Sequence, residues 1–200
     1  MPRAACSTRT VGVLVSRAAG IRVAAAILSC AAVAKAHDVH EPEFPLSFDC
    51  DAPPGQFHKW DVELKSEGFS VTGTIEFLEP RHHVRWSPSA SVFLMEDTDA
   101  ERTGLQLYME RANSTLLHVA VVDPKKVRGR EPFASYDWRQ NPISAAFTLN
   151  LTKTGEVSVS VSGRSARPRI IDFTPTRLVI LCATAQVKFK EVNLRSFGDT

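Results

Sequence analysis

Apolar and polar positions alternate most regularly over the last quarter of the chain, residues 144–197. Phe147, Leu149 and Leu151 alternate with polar residues, and past a turn at Lys153-Thr154-Gly155 the residues Val157, Val159 and Val161 alternate with Ser158, Ser160 and Ser162. A two-residue period puts every valine on one face and every serine on the other, the pattern of a strand with one side in a core and one in water. Thr-Gly and Ser-Gly supply the turns. Beyond an arm at 164–168, further strands are expected over 169–173, 177–183 and 187–194.

The same period recurs upstream. A first strand is expected over 57–64, carrying Phe57, Trp60, Val62 and Leu64. A hairpin-length turn at 65–68 leads into 69–78, where Phe69, Val71, Ile75 and Phe77 alternate with Ser, Thr and Glu. Trp86 and a Ser-Pro-Ser break precede a strong strand at 91–95. An acidic loop, 97–104, leads to a strand at 105–111, and Asn113-Ser114 turns the chain into 115–122. Residues 123–141 are expected to be the one long irregular segment, and a loop of that length in a compact domain is usually functional. About ten strands and no amphipathic helix imply an all-β fold of two antiparallel sheets packed face to face.

The N-terminus reads differently. Arg3, Arg9, Arg17 and Arg22 precede an apolar run over 23–33, and Ala34-Lys35-Ala36 offers the small residues of a cleavage site. The run is about a dozen residues, short of the ~20 that span a bilayer. Residues 1–36 therefore read as a signal peptide, 37–56 as an extended, Pro-rich arm, and 57–197 as the sandwich domain. The mature chain has no transmembrane segment and is secreted or periplasmic. Of the 24 basic residues, five leave with the leader, so 19 face 22 acidic ones. That balance offers no basic surface to suggest nucleic acid, whose binding needs clustered Lys and Arg. Cys6 and Cys30 also leave. Cys50 and Cys182 then either form one long-range disulfide, as exported chains allow, or remain a loose-arm cysteine and a buried free thiol.

The closing pattern resembles the concanavalin A-like lectin/glucanase jelly roll: a hairpin over 147–162 ending at Gly163, a strand at Leu178-Val-Ile-Leu181, and a last strand at 187–194. The resemblance implies a jelly-roll sandwich in which the last strand returns beside the first, at 60–64, and a carbohydrate ligand. Its enzymatic branch often carries Glu-x-Asp-x-x-Glu on one strand, and that string is absent. Glu76 and Glu79, three apart, point to opposite faces of a regular strand. If the chain is a glycoside hydrolase or lyase, Glu76, Glu110 and Asp137 are the candidate acids. A hydrolase pair needs its carboxyls about 5 Å apart for retention or about 6.5–9.5 Å for inversion.

For binding, Trp86, Tyr108, Tyr136 and Trp138 are candidates for a sugar platform, because an aromatic face offers apolar area to sugar C–H groups. Arg139, Gln140 and Asn141 add donors and acceptors beside Trp138. The competing role for each aromatic is to fill the core. Asp97, Asp99 and Glu101 offer oxygens for Ca²⁺ without its loop signature; otherwise they form a solvated turn. His37, as a new N-terminus, could chelate a metal, and His82-His83 are surface histidines. Asn113 and Asn150 match the glycosylation pattern. The basic run 125–130 suits an acidic polymer or simply a solvated loop. The reading that follows is a non-catalytic, lectin-like carbohydrate binder needing no cofactor; the alternatives are a hydrolase or lyase on the same scaffold and a protein-binding domain.

Overall fold

The structure is a computed structural model that describes residues 44–98, 101–122, 129–140 and 142–197. The expected signal peptide (1–36), His37, Asp99, Lys125, Lys126, Arg128 and Asn141 lie outside the described residues. Two antiparallel sheets form the sandwich. One runs in the order β1 (Leu46–Asp51), β13 (Ala185–Ser196), β3 (Phe69–Pro80), β8 (Ile143–Leu151), β9 (Glu156–Val161) and β10 (Arg164–Ser165), with β11 (Arg169–Ile170) also on β9. The other runs β2 (Phe57–Glu63), β12 (Arg177–Ala183), β4 (Ser89–Met95), β5 (Arg102–Tyr108), β6 (Leu116–Val122) and β7 (Arg130–Asp137).

The two-residue period does what it predicts. Phe147, Leu149 and Leu151 of β8 pair with Val161, Val159 and Val157 of β9, and all six side chains are buried. They face Val92, Leu94, Leu105, Leu107, Leu178 and Ile180 of the second sheet within one core cluster. Fully burying a side chain of this size is worth about 1.5–3 kcal/mol, so the inner faces hold the two layers together. Gly73 of β3 serves the packing: a Cβ there would meet Phe147 Cε1 at 3.0 Å and the Val192 backbone at 3.1 Å, where β13 bulges.

Four expectations are corrected. The last strand does not return beside 60–64; β13 lies between β1 and β3, and β2 pairs with β12 in the other sheet. Nor do 57–64 and 69–78 form a hairpin, because the turn at 65–68 crosses between sheets. Residues 37–56 are not all a bare arm, since Leu46–Asp51 is a strand on the free edge of β13. Its alternation of Leu46, Phe48 and Cys50 is short and hidden behind Pro42 and Pro45. Finally, 130–137 is a strand on β6. Pro132 argues against a strand in sequence, yet β7 is an edge and its register shifts between Val119 and Ala120, where Ala120 faces Pro132. An edge bulge is where a sheet tolerates proline.

The free edges of β1 and β2 are tied together. Cys50 and Cys182 form a disulfide with Cα atoms 6.1 Å apart, joining β1 to β12 across the sandwich. Beside it, the Phe48 ring lies 4.5 Å from Trp60 and 5.0 Å from Phe189. Such a disulfide accords with an extracytoplasmic chain. Among the described residues no helix is long and apolar enough to cross a membrane.

Candidate functional site

Side chains of the six-stranded sheet that point away from the core form rows, because paired residues on neighbouring strands share a face. One row runs through all six strands: Phe57, Ala183, Ser89, Tyr108, His118, Ser135. The next contains Lys59, Leu181, Ser91, Gln106 and Ala120, and the third contains Val179, Phe93, Gly104, Val122 and Arg130. Phe93, Met95, Val122 and Val179 form a second apolar cluster, separate from the core and flanked by Leu181.

A groove of about 440 Å³ opens on this face. Its rim carries Phe57 and Trp86, stacked with centroids 5.9 Å apart and planes 11° from parallel. They remain 50% and 40% exposed, so both offer apolar surface to a ligand. Its floor includes Phe93, Ser89 and Gln106, whose Nε2 donates to Ser91 Oγ at 3.1 Å. Arg85, Arg102 and Arg130 complete the charged lining. The Arg102 guanidinium lies 5.2 Å from the Phe93 centroid, and that of Arg130 lies 4.5 Å from the Tyr108 centroid.

Behind Arg130, the Tyr108 and His118 rings are 5.3 Å apart, and His118 Nδ1 is hydrogen-bonded to Ser135 Oγ at 3.0 Å. Burial raises the Tyr108 pKa; the Arg130 charge opposes that shift and Glu110 adds to it, so the phenol stays protonated at neutral pH. Burial lowers the Arg130 pKa, Tyr108 counters, and the like charge of Arg102 lowers it further.

The four aromatics expected to form one platform separate by face. Trp86 lines the groove and Tyr108 lies beside it. Tyr136 instead pairs with Leu117 on the core side, and among the described residues its buried hydroxyl finds no hydrogen-bond partner. Trp138 stands in a short 3-10 turn, Trp138–Gln140, between β7 and β8. Its indole meets Phe77 edge-on at 5.5 Å and packs against the core. It fills the end of the sandwich rather than a polar loop. Arg139 folds back on Asp137, donating from Nε at 3.0 Å and from Nη2 at 2.6 Å, and Asn141 lies outside the described residues.

The candidate acids do not converge. Glu76, on the seven-stranded sheet, pairs with Lys190 at 2.9 Å; Glu110 follows β5 in the other sheet; Asp137 is held by Arg139. Of the oxygens considered for Ca²⁺, Asp97 accepts from Thr176 Oγ1 at 2.5 Å, Glu101 accepts from the Glu96 amide through its carbonyl, and Asp99 is outside the described residues. Among the described residues no three His, Cys, Asp or Glu side chains gather as a metal site.

Sequence reasoning missed Phe57, Arg102, Gln106 and His118 as site residues. Their signal lay in the polar half of the alternation: Arg102, Gln106 and Tyr108 interleave with core Leu105 and Leu107.

No protein-family model matches the chain, and no curated protein matches it in sequence. Solved structures do. A sialidase is similar over 76% of this chain at 11% identity with a TM-score of 0.52, and the chain spans 15% of that protein's length. The marine PL7 alginate lyase AlyA1 from Zobellia galactanivorans is similar over 75% of this chain and 76% of its own, at 11% identity and a TM-score of 0.51. The carbohydrate-binding module CBM66 from Bacillus subtilis overlaps 74% of this chain and 86% of its own, at 9% identity and a TM-score of 0.46. At such identities the likeness to the sialidase and the alginate lyase establishes the fold alone, an all-β jelly-roll sandwich of two antiparallel sheets.

Proposed function

We propose that the chain is a secreted or periplasmic, lectin-like β-sandwich that binds carbohydrate on the outer face of its six-stranded sheet without converting it. The observation that carries this reading is the exposed Phe57–Trp86 pair at the rim of the groove, beside the hydrogen-bonding groups of Gln106 and Ser89. Flat apolar faces next to a few fixed polar groups match a sugar ring, which is apolar on its C–H faces and polar at its edge. The Cys50–Cys182 disulfide supports export.

A glycan-array screen of the full chain tests the proposal, with Trp86→Ala as control. Selective binding that weakens about 10- to 100-fold in the variant is expected from losing one desolvated aromatic contact. Chelating Ca²⁺ leaves the signal unchanged. A blank array from folded wild-type protein refutes the proposal.

One observation favours a second reading, a lyase. Proton transfer from and to a sugar needs a positioned base and acid, and the Tyr108 phenol and His118 imidazole are neighbours beside the groove. Time-dependent shortening of a bound glycan, abolished in His118→Ala while affinity persists, would move the assignment from binder to lyase.

A further inference from the structure

We propose that the groove takes an acidic saccharide whose anionic group is received by Arg102 and Arg130; this deepens the carbohydrate reading above and rests on it. Among the described residues, the charged side chains lining the groove are Arg85, Arg102 and Arg130, with no carboxylate. The excess is local. Outside positions 1–36, acidic residues outnumber basic ones by 22 to 19, so a cluster of arginines is not a by-product of a basic protein.

Three other arginines have acidic partners: Arg81 pairs with Asp51, Arg139 with Asp137, and Arg169 with Glu131. Among the described residues Arg102 and Arg130 pair with no carboxylate. By register the acids of the same face are Glu63, in the row of Arg102, and Asp61, in the row of Arg130; both sit on edge strand β2, and Asp61 is 3.0 Å from Lys59 and 3.9 Å from Arg177. Arg102 and Arg130 instead lie over the Phe93 and Tyr108 rings. Stacking engages the face of a guanidinium and leaves its in-plane N–H donors for oxygen, and the planar fork suits a carboxylate or sulfate. Arg130 is also partly desolvated and feels the charge of Arg102. Two like charges held in a half-dry groove are stabilised by an anion placed between them.

Calorimetry of the full chain with three probes tests the inference: sodium polygalacturonate for carboxylate, dextran sulfate for sulfate ester, and laminarin as a neutral glycan. Binding to one or both acidic polymers is expected, weakened about 10- to 100-fold in Arg102→Gln and in Arg130→Gln, since hydrogen bonds to charged groups are the strong ones. Whichever acidic probe binds more tightly identifies the anionic group. Arg102→Lys keeps the charge and loses the fork, so it falls between wild type and Arg102→Gln. Arg164→Gln, exposed on the other sheet, changes affinity less than about twofold. Circular dichroism and melting confirm that each variant is folded. Equal losses in Arg164→Gln and Arg102→Gln would mean non-specific attraction to a polyanion and overturn the inference. Binding to laminarin alone, indifferent to both arginines, overturns it while leaving the carbohydrate reading in place. No binding to any of the three, with a blank array, overturns both.

Discussion

Replacing both cysteines, in Cys50→Ala/Cys182→Ala, should remove most of the stability margin of the sandwich while leaving its shape intact. The disulfide spans 132 residues of sequence. In the chain-entropy picture, closing a loop of that length costs the unfolded ensemble about 17 cal/mol/K, or about 5 kcal/mol at room temperature. Measured removals from small secreted domains run from about 2 to 5 kcal/mol. Both cysteines are buried, so trimming two sulfur atoms adds a small packing loss of the same sign. A loss of about 4 kcal/mol in a domain of this size corresponds to a melting temperature lower by roughly 8–16 °C. Guanidinium unfolding followed by tryptophan fluorescence measures it. The entropic origin makes a second demand: the untethered chain unfolds further, so the m-value rises with the loss of stability. A loss below about 1 kcal/mol with an unchanged m-value would refute the reasoning, because the bridge would then be neither restricting the unfolded chain nor holding β1 to β12.

Two other predictions separate structural from functional roles. Trp138→Ala should cost about 2–4 kcal/mol, from the contact with Phe77 and the half-buried indole, yet leave glycan affinity within about twofold; denaturant melts and the array read the two effects independently. Asp137 has a pKa held below the usual carboxylate range by the Arg139 side chain first and the Arg139 amide second. Its pairing therefore contributes stability above the unfolded carboxylate pKa and loses it as pH falls through the folded value. Carboxyl NMR titration should show the depressed value, and Arg139→Gln should move it up toward the ordinary range.

Much of the fold was legible because strand periodicity is a local property. In Val157-Ser158-Val159-Ser160-Val161 the backbone alone turns successive side chains to opposite faces, so the inner face could be named before any partner was known. The sequence offered Cys50 and Cys182 either as one long-range bridge or as a loose-arm cysteine and a buried thiol, and the structure has the bridge. Sheet order was another matter. Nothing in Phe57–Glu63 says that it joins β12 rather than the following β3, because pairing is decided by which edges the crossovers leave open. Pro132 concealed β7 for a local reason, and only an edge position with a register shift made it admissible.

The candidate site shows the division most clearly. Trp86, between Arg85 and Ser87, and Tyr108 were identifiable as candidate aromatics, whereas Trp138, with Arg139, Gln140 and Asn141 after it, read as the better ligand platform and packs against Phe77 instead. By itself the sequence determined the strands, their buried faces, the net charge and the available disulfide, since each depends on neighbours along the chain or on counting. The tertiary structure alone decided that Phe57 stacks on Trp86, that Arg130 lies over Tyr108, and that these meet Arg102 and Gln106 at one groove. Those residues come from four different segments, and their meeting depends on register between strands far apart in sequence, where a slip of one residue sends every side chain to the opposite face.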